Sequence, residues 1–197
     1  ERELDGTRVY PVWPFEVGYF SPHPELPPVS TFMQHPIELV AHANEWTEVT
    51  EDTAAGRMTL TLGELNESGP MAYSAQAIRS INKQLGAILT DDGLLGVRVA
   101  PSSDQIISTG ENAGTDLRAG TLLQVGIDVG RVAEVRTLAA GERIDTEERV
   151  DHAAHEAIAT SSPLKTAEHN DHDHGDLLRQ EQLDDYLYFL SRHPGRN

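Results

Sequence analysis

The longest ordered pattern of apolar and polar positions lies between Tyr73 and Leu138. Apolar side chains at positions 77, 78, 81, 85, 88 and 89 share one face of a helix. Ser74 is a suitable N-cap, and Asp91-Asp92-Gly93 supplies the stop, with glycine for the left-handed turn. Two alternating runs follow, Leu94–Ala100 and Thr121–Arg136, and both predict strands. One helix packed on a few strands is a small α+β unit. The fold class expected is therefore α+β, a small mixed sheet packed with helices.

The pattern elsewhere is less regular. Residues 1–14 read as a lead-in, and Val12–Phe20 alternates well enough for one strand, with Pro11 and Pro14 favouring an edge. Ser21–Pro28 is a stiff extended connector. Residues 37–49 and 57–62 predict two strands joined by a hairpin loop over 50–56, although 37–46 also fits a short helix. Residues 108–119 form a Gly-, Asn- and Thr-rich loop. The run 121–139 is too long for one strand, so Gly130 divides it: 121–128 closes one module, and 131–139 opens another. Asp151 is expected to cap a short helix reaching Ala159. A last helix spans 179–191, with Leu183, Tyr186, Leu187 and Leu190 as its apolar stripe and Pro194-Gly195 as its stop.

Composition narrows the function classes. The net charge of −17, from 32 acidic and 15 basic residues, argues against a nucleic-acid partner and against docking on an anionic membrane. It serves solubility, or favours basic client segments. There are 0 cysteines, which removes disulfides and thiolate chemistry. No apolar run is long enough for a transmembrane helix, and Glu1–Gly6 lacks the pattern of a signal peptide. Too few alternating segments are present for a barrel within these residues.

Candidate chemistry is sparse. His169, His172 and His174, with Asp171 and Asp173, are weak metal candidates, because a polar loop between helices is a poor holder for ligands. His152 and His155 lie three apart, without the zincin spacing. Asp91-Asp92 and Asp184-Asp185 are adjacent residues that point apart. No nucleophile elbow, phosphate loop or dinucleotide fingerprint occurs, so no enzyme activity, cofactor or resident metal is expected.

Four phrases carry a family resemblance: YSAQAIRSINKQL (73–85), GLLGVRVAPSSDQI (93–106), LLQVGIDVGRVAEVRTLAAG (122–141) and DLLRQEQLDDYLYFLSRHPGR (176–196). In order and spacing they resemble POTRA (polypeptide-transport-associated) domains, of the kind preceding the barrel in two-partner secretion transporters, the haemolysin-activator family. The resemblance covers roughly 73–197, with weaker support at 15–28. It implies a first module over 15–128, with an atypical insertion at about 30–65 where the usual β-α-α-β-β order places a helix. A second module over 129–197 lacks its last strands, which favours self-association. The implied role is periplasmic: receiving unfolded client polypeptide by β-augmentation for an outer-membrane barrel beyond residue 197. A general barrel-assembly factor and an envelope scaffold without a barrel are the alternatives. Family precedent puts the groove between the second strand, here 95–101, and the neighbouring helix. That selects Val97, Val99, Ile81 and Leu85, with Arg98 at the rim.

Overall fold

The computed structural model describes residues 8–42, 45–50, 56–107, 111–139, 144–160, 162–167 and 175–191. They fall into two units. One comprises the residues up to Asp92 together with Val97–Asp128; the other comprises Gly93–Gly96 and the residues from Val129 onward. The class is α+β, with two small sheets and several helices.

In the first unit the strand expected over Val12–Phe20 is shortened to Phe15–Tyr19, and part of the expected lead-in forms a further strand in a different sheet. Pro14 separates β1 (Val9–Val12) from β2 (Phe15–Tyr19), and having no N–H it cannot donate to a continuous ladder. A five-stranded sheet has the order β1-β6-β4-β3-β5, where β3 is Pro36–His42, β4 Glu45–Thr47, β5 Arg57–Thr61 and β6 Met71–Ser74. Pro11 does sit on an edge strand, opposite Ala72. A three-stranded sheet has the order β2-β8-β7, with β7 at Arg98–Pro101 and β8 at Leu123–Asp128. There β2 runs parallel to β8, and β7 runs antiparallel to it.

Residues 37–42 are extended, not helical: Ile37, Leu39 and Val40 point inward between exposed neighbours. The helix of that region comes earlier, as α1 (Val29–Gln34), entered from Pro28 in the extended backbone suited to a helix start. The β3 and β5 strands pair antiparallel, and residues 51–55 of the expected loop between them lie outside the described residues. The strand expected over 57–62 ends at Thr61, which caps α2 (Leu62–Glu67). Glu64 N–H donates to Thr61 Oγ1, and Thr61 N–H donates to the Glu64 carboxylate. The Thr61 N–H and hydroxyl, both donating to it, hold the Glu64 carboxyl below its usual pKa.

The central helix α3 (Ala75–Asp91) follows β6 without a break. Ser74 caps it, accepting from Ala77 N–H at 3.0 Å, and Gly93 takes the left-handed turn after it, with φ +79°. Ala77, Ile78, Ile81, Leu85 and Leu89 are buried. The helix packs on β7 and on β3, β4 and β6, so it joins the cores of both sheets. Rings of β2 and β6 meet there, Phe15 edge-on to Tyr73 at 5.1 Å. Each such fully buried side chain contributes about 1.5–3 kcal/mol.

The second unit has little regular structure among its described residues. The strand expected over 131–139 is reduced to isolated bridges, Arg131 with Leu177 and Leu138 with Val150. Its alternation has no continuous partner strand, and Leu138 is left exposed. Asp151 is not a helix cap. It takes φ 52° and accepts from Thr137 N–H, while His152 Nδ1 accepts from Ala154 N–H at the start of a short 3₁₀ turn. That turn leads into α4 (Glu156–Thr160). The last helix, α5 (Gln180–Ser191), lies where expected, but Leu187 of the apolar stripe is exposed. Pro194-Gly195 lies outside the described residues.

Candidate polypeptide-binding edge

The three-stranded sheet of the first unit has two edges, and they differ. In β2, Pro14 C=O accepts from Leu123 N–H, and Phe20 N–H donates to Ile127 C=O. The alternation therefore turns the backbone groups of Phe15, Val17 and Tyr19 outward. The first of these is already occupied. The Asn66 side-chain amide accepts from Phe15 N–H at 2.8 Å and donates to Phe15 C=O at 2.9 Å, as a neighbouring strand would. Trp13 Nε1 donates to Asn66 C=O, and α1 packs on β2 nearby. Asn66 stands near the end of α2, so that helix occupies the first outward position of this edge.

The β7 edge is different. Arg98 faces Asp128, Val99 faces Ile127, Ala100 faces Gly126 and Pro101 faces Val125. Ser102 N–H donates to Gln124 C=O at 2.9 Å. Alternation from that bond turns Arg98 and Ala100 toward β8, and Val99 and Pro101 away from it. Pro101 loses no ladder bond at this position, and it shortens the row of outward donors. The N–H and C=O of Val99 face outward, and no described strand pairs with them.

Beneath this edge lies α3. A Cβ at Gly86 would stand 3.5 Å from Val99 Cγ2 and 3.8 Å from Val97 Cγ1. Both are ordinary contact distances, so the valines pack against this turn of the helix. Of the residues expected to line the groove, Val97 and Val99 are half-buried on this seam and Arg98 is exposed at its rim. Ile81 and Leu85 are corrected. Both are 0% exposed, so they belong to the core beneath the seam and offer a client no surface. The strand is also shorter than expected. It begins at Arg98, because Gly96 takes φ +66° and packs against Gly130. Leu94 instead bridges Arg179 in the second unit.

The β7–β8 connection is pinned. The Arg118 side chain, 2% exposed, donates twice to the Asp116 carboxylate at 2.8 Å and once to Thr121 C=O at 3.2 Å. Hydrogen bonding from Arg118 holds the Asp116 carboxyl below its ordinary pKa. Tyr10 OH donates to Gly114 C=O, tying the same loop to β1. On the sheet face away from α3, the Phe20 ring lies across Gly126. A shallow hollow of about 220 Å³ there is bordered by Glu16, Gly18 and Ser102.

The histidine candidates give no site here. His169, His172 and His174 lie outside the described residues. Among the described residues, no three His, Cys, Asp or Glu side chains are grouped to hold a metal. His152 and His155 stack edge to face at 6.2 Å. In the second unit a hollow of about 730 Å³ is bordered by Glu134, Lys165 and Thr166, and Lys165 Nζ donates to Thr160 C=O. No described helix is long and apolar enough to cross a membrane. Sequence reasoning missed Asn66, Gly86 and Pro101. Only the proline had a signal, its place at the end of an alternating run.

No family model matches the chain, and comparisons with curated proteins and with solved structures return no match either.

Proposed function

We propose that this chain is the periplasmic, polypeptide-binding region of an outer-membrane transporter, receiving unfolded client protein as an added strand on β7. The outward backbone of Val99 beside α3 carries this reading. An extended client gains main-chain hydrogen bonds there whatever its sequence, which suits a receptor for unfolded chains. Element order supports the resemblance behind the proposal. Setting aside β1 and Pro36–Ser74, the first unit runs β2-α1-α3-β7-β8, the β-α-α-β-β order of a POTRA module. The Pro36–Ser74 segment builds four of the five strands of the larger sheet and, through Asn66, occupies Phe15 on the other edge. That occupation favours β7 for the client.

The test is Val99→Pro. This change removes an outward N–H and no bond to β8. Binding of a short unstructured peptide, followed by fluorescence anisotropy, is expected to weaken by about tenfold or more with the circular dichroism spectrum unchanged. Unaltered peptide affinity in the folded variant contradicts the proposal.

A further inference from the structure

The cations of the first unit are unevenly used. Arg57 pairs with Glu38, Arg118 is locked to Asp116, and Arg8 is hydrogen-bonded at Tyr10. Arg79, Lys83 and Arg98 are the exceptions. Their side chains make no ion pair or hydrogen bond with any described residue. Asp128 faces Arg98 across the β7–β8 register, yet no ion pair joins them.

These three residues flank one place. Residues 79, 83, 86 and 90 recur at three- and four-residue spacing along α3, so they share a face. Gly86 of that face touches Val97 and Val99. The buried stripe of Ile78, Leu85 and Leu89 lies on one side of Gly86, and Arg79 and Lys83 lie on the other, toward solvent beyond the strand. Arg98 projects from the opposite face of β7, alternating with Val97 and Val99. A strand added to this edge points successive side chains to the two faces in turn. One set approaches Arg98, and the other approaches Lys83 and Arg79.

We infer that the client segment taken up at β7 is an extended polypeptide rich in Asp and Glu, selected by Arg98 on one face and by Lys83 and Arg79 on the other. This rests on the strand-addition reading and adds the chemistry of the client. It opposes what overall charge dictates: a chain of net charge −17 attracts basic segments at long range. Local cations that pair with no described residue, in so acidic a chain, act as a specificity device.

The experiment uses three fluorescent unstructured peptides that repeat Thr-Thr-Glu-Glu, or the same with Gln or with Lys in place of Glu, so that the tested side chain reaches both faces. They are titrated against the wild-type chain and the Lys83→Gln/Arg98→Gln variant. The Glu peptide is expected to bind about tenfold more tightly than the Lys peptide, with the Gln peptide between them. In the variant that preference shrinks to about twofold or less while Gln-peptide affinity is kept, which also shows that the variant is folded. Added salt narrows the wild-type preference. Equal or tighter binding of the Lys peptide overturns the acidic-client inference and leaves strand addition standing. Failure of all three peptides to bind sinks strand addition itself.

Discussion

Gly86 lies on the seam between helix and strand without being required by it. Glycine inside a helix is costly, and here the seam with Val97 and Val99 accompanies it. A methyl group at this position would meet those valines at ordinary contact distance. Gly86→Ala is therefore expected to stabilise the fold by about 0.5–1 kcal/mol in urea denaturation. A loss of stability would mean that the seam is tighter than these distances imply. Asn66 acts in the opposite sense. Truncation by Asn66→Ala leaves Phe15 N–H and C=O without partners and is expected to cost about 1–3 kcal/mol in the same assay. No signal in the sequence marks Asn66, because its partner lies 51 residues away. Ser74 and Gly93 were legible, since capping and left-handed turns are local chemistry. Ile81 and Leu85 were legible as apolar. Periodicity does not say what covers an apolar face, and here it is covered by the core.

At the scale of elements, long periodic segments were readable and short ones were not. The central helix α3 and the last helix α5 carry enough turns to show a period. The strand β6 has 4 residues directly before a helix, so its alternation merges into the helical pattern. The Thr61–Glu64 capping box was a sequence signal for α2, hidden by the alternation of the strand before it. The strand after Gly96 was overextended at its start because apolar alternation continues through a glycine that turns the chain, whereas the end of β8 before Gly130 was read correctly. The β7–β8 connection yields a pH prediction. Arg118 depresses the folded-state pKa of Asp116, so the associated stability is present above the unfolded carboxylate value of about 3.9 and is lost as pH falls through the lower folded value. Asp116→Asn is expected to lower the urea midpoint at neutral pH, and the gap from wild type should close in strong acid. A gap that is constant with pH would mean that the ion pair adds nothing.

For the whole molecule, the α+β class was legible and the second sheet was not. The five-stranded sheet gathers β1 and four strands from between Pro36 and Ser74. Their order depends on contacts between residues far apart in sequence, and local patterns do not report those. The function proposed depends on one asymmetry. On the β2 edge Asn66 occupies Phe15, and on the β7 edge the Val99 N–H and C=O face outward beside cations that pair with no described residue. The most direct test is amide hydrogen exchange resolved by NMR, with and without a saturating unstructured Thr/Glu peptide. The Val99 amide is expected to exchange quickly in the free protein and to become protected on binding, while the Ala100 amide, already bonded to β8, changes little. Protection that appears on β5 or β1 while Val99 stays fast would contradict the account.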